Sequence, residues 1–343
     1  IRKKDHHAAA PGHASGIARA QNPGDGFDAG AKLDTIREHR NELGETVYAV
    51  SASRFDISPP LLDMASRATS TMAGEEEIEP SNPQLPSWRI PRSNTPDPVV
   101  QPVVSSFESF VSGGFTPAAP STGFNFAGIG ISGGSPSDSN GSVGNDQYVE
   151  TVNTRYQVWS LNRATKVATS ILGPSSISTL WAGFGGPCEA QNSGDPIVLY
   201  DKIANRWLIS QFTTTLSSGS YYQCVAVSTS ANAIGTYARW AFVVPSGRFG
   251  DYPHFGVWND AYYMMAHAFA STSGGYIAAM FAAMDRKKML SGDPTATWQV
   301  IFDATEGGHM PADLDGFTPP PQNTPGIFLS IHSSGMFIYR LKV

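Results

Sequence analysis

From about Phe124 onward, short apolar runs alternate with stretches of Gly, Asn, Asp, Ser and Thr. Ile197-Val198-Leu199-Tyr200-Asp201 turns through Lys202 to Arg206 into Trp207-Leu208-Ile209-Ser210-Gln211-Phe212. Phe255-Gly256-Val257-Trp258 turns at Asn259-Asp260 into Tyr262-Tyr263-Met264-Met265. Runs of this length, rich in β-branched and aromatic residues and bounded by turn formers, predict strands. The continuations also match: Tyr221 to Ser228 and Tyr237 to Val244 in one copy, Tyr276 to Ala283 and Thr297 to Phe302 in the next. Each unit is therefore four strands in meander order. The two units open on Gly194-Asp195 and Gly250-Asp251, 56 positions apart (251 − 195). Fainter copies flank them, one at Gly144-Asn145-Asp146 and one at Asp313-Leu314-Asp315-Gly316. A repeated four-stranded unit is the signature of a propeller blade, since an isolated sheet of this size cannot bury both faces. The expected fold is all-β, a β-propeller with at least four blade units over 123–343. A β-sandwich is the competing architecture, but it would not require an Asp at the start of each unit.

Residues 1–122 have a different texture. A polar start with His6, His7 and His13 leads to a stretch, Ala31 to Leu43, whose Leu33, Ile36 and Leu43 predict one short helix. Thr46 to Val50 predicts a strand. From Gly74 to Val100 the chain is acidic and carries prolines at 80, 83, 86, 91, 96 and 98. Proline at that density cannot donate ladder hydrogen bonds and holds a chain extended. This region reads as an extended Pro/Ser-rich arm or linker, suited to docking on a protein partner or on a second copy of the chain.

Composition narrows the setting. The 343 residues are 41% hydrophobic and only 15% charged, with a formal net charge of −6. That balance predicts no nucleic-acid-binding surface, and no apolar run is long enough to span a membrane. Low charge, many aromatics and Gly/Ser-rich turns fit a secreted or envelope-exposed protein. In that setting the two cysteines, Cys188 and Cys224, are expected to form a disulfide; a pair of cytosolic thiols is the competing reading. Neither lies in a CxxC or CxxCH pattern, so redox, zinc and haem chemistry have no support.

The stretch from Ser135 to about Phe269 resembles a family of bacterial secreted β-propeller proteins without an established activity. The residues that carry the resemblance are Ser137-Asp138-Ser139-Asn140-Gly141-Ser142-Val143-Gly144, Leu180-Trp181-Ala182-Gly183-Phe184-Gly185-Gly186 with Cys188, Gly194 to Asp201, and Asp251-Tyr252-Pro253. It implies an Asp where this chain has Ser142. The visible units also leave the ring short, so a longer chain or a partner is expected to complete it.

Candidate chemistry lies in the repeat region. If Asp146, Asp195, Asp251, Asp313 and Asp315 open the innermost strands, they ring one mouth of the channel, with His254 close by. Such acids could cap turns, bind a ligand or ion, or divide acid and base roles as in glycoside hydrolysis. Asp138, Asn140 and Ser142 have the alternating oxygens of a calcium loop, which makes calcium the candidate cofactor, but position twelve from Asp138 is Val149 rather than a bidentate Glu. No HExxH or GxSxG pattern occurs, which removes metalloprotease and α/β-hydrolase readings. Two functions remain: an extracellular binding or assembly module, with a glycan as candidate ligand, and a secreted polysaccharide hydrolase. The second needs two acids facing one pocket.

Overall fold

A computed structural model describes residues 2–7, 36–67, 123–130, 137–214, 220–272, 274–305, 307–332 and 335–342. Strands β1 (Arg2–His7), β2 (Ile36–Arg40), β3 (Thr46–Ser51) and β4 (Arg54–Ile57) come first, then helix α1 (Leu61–Arg67). Four meanders follow. The first sheet is β5 (Asn140–Val143), β6 (Gln147–Val152), β7 (Arg155–Asn162) and β8 (Val167–Ser176). After helix α2 (Pro187–Ala190), the second is β9 (Ile197–Asp201), β10 (Arg206–Phe212), β11 (Tyr222–Ser228) and β12 (Tyr237–Val243). The third is β13 (Phe249–Val257), β14 (Ala261–Phe269), β15 (Tyr276–Asp285) and, past helix α3 (Arg286–Leu290), β16 (Thr297–Asp303). The fourth is β17 (Met310–Pro311), β18 (Gly326–His332) and β19 (Gly335–Lys342), with β1 alongside β19. The all-β class and the four-stranded antiparallel meanders of the first three sheets are those expected from the alternation of apolar runs; in the fourth, β1 pairs parallel to β19.

The sheets stack face to face, which accounts for their composition. Every residue of β11 and β12 is buried, a pattern that requires cover on both faces. Phe242 stacks on Trp298 of the third sheet with ring centroids 5.5 Å apart, and Phe281 of the third sheet meets Phe328 of the fourth edge-on at 5.1 Å. Trp159, Trp207, Trp240, Trp258 and Trp298 are all buried, as expected for packing residues rather than a sugar platform. Where the first sheet meets the second, a Cβ on Gly144 would lie 2.6 Å from Trp207 Cζ2, so only glycine fits there.

The first strands of successive sheets run side by side and exchange side-chain to backbone hydrogen bonds. Val198 N donates to Asn140 Oδ1 (2.7 Å) and Tyr200 N to Ser142 Oγ (3.0 Å). Val257 N likewise donates to Asp313 Oδ1 at 2.7 Å.

The N-terminal stretch corrects one expectation. Ile36–Arg40 is a strand, not part of a helix; it forms a hairpin with β3, and β3 in turn pairs with β16. Asn41 makes the turn: its Oδ1 accepts from the N–H groups of Leu43 and Glu45, and Gly44 takes φ 78°. Strand β4 pairs with β12, so residues 36–57 add strands to the outer edges of the second and third sheets. Leu33, His13 and the Pro-rich run lie outside the described residues.

Cys188 and Cys224 form the expected disulfide, joining α2 to the middle of β11 over a sequence separation of 36. Closing a loop of that length restricts the unfolded chain by about 3–4 kcal/mol. The double variant Cys188→Ala/Cys224→Ala should lose that much in urea unfolding. Unchanged stability would mean the bridge adds nothing to the packing around it.

Candidate functional site

The starts of the first strands share one backbone device. Asp138, Asp195 and Tyr252 have φ of 38°, 47° and 53°, the left-handed region; Asp138 and Asp195 lie just ahead of β5 and β9, and Tyr252 lies within β13. They are equally spaced: 195 − 138 = 57 and 252 − 195 = 57. Asp tolerates this conformation through local hydrogen bonding, whereas a bulky Tyr reaches it only when its surroundings impose it. At Tyr252 the cause is a bulge, since the pairing of β13 with β14 shifts register between Asp251 and His254.

These residues form a polar rim. Asn153, fully buried in the β6–β7 turn, donates from Nδ2 to Asp138 Oδ2 (3.1 Å). Its Oδ1 accepts from Asp195 N (3.0 Å), and Asp195 Oδ2 accepts from Tyr252 N (3.1 Å). Tyr252 N also donates to Asp251 Oδ1 at 3.0 Å. Tyr252 is 45% exposed, and its ring lies edge-on to His254 (centroids 4.3 Å) and stacks at 6.1 Å over His267 of β14. Tyr276 of β15 meets His267 edge-on at 5.8 Å.

Burial sets the charge states. It holds His254 below the usual imidazole range, with Asp138 pulling it partly back. Burial, reinforced by His254, pushes His267 down to about 4. Both imidazoles are therefore neutral near pH 7. The Tyr252 hydroxyl is raised by burial and then by Asp138 and Asp195. The rim thus offers carboxylate and imidazole groups, and no Lys or Arg is among these residues.

The structure separates the predicted acids into two groups. Asp195, just ahead of β9, and Asp251 and His254, on either side of the β13 bulge, lie on this rim. Asp146, Asp313 and Asp315 do not join them. Asp146 sits in the β5–β6 turn, at the opposite end of β5 from Asp138, where its backbone oxygen accepts from Leu161 N (2.7 Å). Asp313 and Asp315 follow β17, and Asp315 meets Lys202, just past the far end of β9, at 3.5 Å. Burial raises the Asp313 carboxyl, and the Val257 N–H pulls it partly back. In the weaker Gly-Asp copies the acids mark the other end of the first strand.

Of the candidate calcium-loop residues, Asp138 lies just ahead of strand β5, while Asn140 and Ser142 lie on it and their side-chain oxygens accept from the Val198 and Tyr200 N–H groups of β9. Among the described residues, no three His, Cys, Asp or Glu side chains converge as a metal-ligand set. Asn153 and His267 were not read as site residues from the sequence. The spacing of 57 from Asp138 through Asp195 to Tyr252 could have found Tyr252.

No family model matches the chain, and no curated protein does. Among solved structures, native Bacillus subtilis arabinanase Arb43A aligns at 12% identity over 57% of this chain and 89% of that one, with a TM-score of 0.24. Among the described residues, no helix is long and apolar enough to cross a membrane.

Proposed function

We propose that this chain is an extracellular β-propeller binding module that takes a glycan at the rim of its first strands. The observation that carries the reading is the linked set Asp138, Asn153, Asp195 and His254, which three sheets bring to one place. Carboxylates accept hydrogen bonds from sugar hydroxyls, and neutral imidazoles both donate and accept. A rim with several carboxylates and no cation disfavours anionic ligands. The disulfide supports an oxidising, extracellular location. Residues 1–122 serve as an arm: the stretch 36–67 lies along the second and third sheets, and we assign the remainder to docking on a protein partner or a second copy.

A second reading, polysaccharide hydrolysis, has one observation in its favour. Asn153 bonds both to the Asp138 carboxylate and to the Asp195 N–H, which brings two acids to one residue. Calorimetry with linear oligosaccharides of glucose, xylose and arabinose tests both. Binding by the wild type, weakened at least about tenfold in Asp138→Asn with no reducing ends released, supports the binding module. Turnover lost in both Asp138→Asn and Asp195→Asn, with binding retained, supports the hydrolase.

A further inference from the structure

Two imidazoles at the rim stand out because nothing in the fold uses them fully. Among the described residues, His254 Nε2 and His267 Nε2 are both buried and without a hydrogen-bond partner. Buried polar groups in native proteins are nearly always paired, and the exceptions call for a reason such as a ligand. Here the two lie on neighbouring strands, β13 and β14, under the same side chain. That side chain, Tyr252, is the least settled residue of the rim. Its backbone is left-handed, it sits in the bulge, and the residue is nearly half exposed while its ring lies against both imidazoles.

Resting on the binding reading above, we propose that Tyr252 is a movable cover, and that ligand binding swings it aside so that adjacent hydroxyls of a sugar ring reach His254 and His267. A hydroxyl has one donor and two acceptor positions, and a neutral imidazole has one donor and one acceptor. A vicinal diol can therefore serve both rings and still donate to the Asp138 carboxylate. A carboxylate, with no proton to donate, could not do all three. The bulge lets the cover move, because the Tyr252 N–H is held by Asp195 and Asp251 while, among the described residues, its side chain is held by ring contacts.

The groups facing the pair are Asp138 ahead of β5, Asp195 ahead of β9, Asp251 and Tyr252 on β13, and Tyr276 on β15. From the fourth sheet, His309 stands on Phe281 and Tyr339. Desolvation keeps the pair neutral. Acid removes their acceptor capacity, so affinity should fall as pH drops toward the imidazole titration and hold steady above it.

The test is oligosaccharide affinity, with the same glucose, xylose and arabinose oligomers, in His254→Phe, His267→Phe and Tyr252→Gly, alongside Asp138→Asn. Phe keeps the ring volume and removes the nitrogens, so the His variants should melt no lower than wild type yet bind at least about tenfold more weakly. His254→Gln and His267→Gln provide amide groups if either Phe variant fails to fold, and should bind closer to wild type. Tyr252→Gly should raise the association rate. Variants of both His residues that bind like wild type, while Asp138→Asn does not, overturn the cover and leave the rim site standing. Absence of binding to any of the oligosaccharides overturns the binding reading itself, and the cover with it.

Discussion

Replacing Asp201 with Ala should lower the unfolding free energy by about 3–5 kcal/mol, the range for removing one partner of a buried ion pair. Asp201 ends β9 with no exposure, and all of its acceptor capacity is in use. Arg286 Nε donates to Oδ2 (2.7 Å), Arg286 Nη2 to Oδ1 (3.0 Å), Tyr262 Oη to Oδ2 (2.9 Å) and Ala204 N to Oδ1 (2.9 Å). Arg286 begins α3 and Tyr262 lies on β14, so one carboxylate joins the second sheet to the third. Without it a guanidinium stays charged in a buried site, and a phenol loses its acceptor. Asp201→Leu/Arg286→Met should recover much of the loss, because an apolar pair leaves no charge to desolvate. Urea unfolding of the single and paired variants checks this. Equal losses in both would mean that packing at these positions, not the ion pair, supplies the stability.

The repeat was legible because period-two alternation and turn residues are local properties. Tyr222–Ser228, Tyr237–Val243 and Thr297–Asp303 fall within a residue or so of the apolar runs that predicted them. The rim was harder to place. The Gly-Asp match at 56 positions aligned Asp195 with Asp251, whereas the backbone repeat is 57 and aligns Asp195 with Tyr252. The extra position is the bulge, which depends on how β13 pairs with β14 and leaves no local signature. A Tyr in the left-handed region is likewise unreadable, since its own preference points elsewhere. Ile36–Arg40 illustrates the same limit. Its exposed Arg37 and Glu38 fit a helix as well as an edge strand, and only pairing with β3 decides between them. The Asn41 turn is a local signal for the hairpin.

The second large effect concerns the N-terminal strands. Arg239 on β12 is 1% exposed, and its guanidinium is committed in several directions. Nε donates to Asp56 Oδ1 (2.8 Å) and Nη2 to Asp56 Oδ2 (2.6 Å), a two-point grip on β4. Nη1 donates to the backbone oxygens of Leu180 (2.8 Å) and Ala182 (3.2 Å), and the Phe184 ring lies 5.0 Å from Cζ. One cation thus pins β4 and the loop ahead of α2 to the second sheet. Asp56→Ala leaves that cation buried with only neutral partners. The expected loss is about 3 kcal/mol, toward the low end for broken buried pairs because Asp56 is itself about a third exposed. The loss should also be local. With its ion pair gone, β4 retains four paired residues at a sheet edge, so hydrogen exchange over Arg54–Ile57 should accelerate before β10 and β11 respond. If exchange instead rises uniformly across the second sheet, β4 and the sheet open as one unit and the N-terminal strands are part of its core.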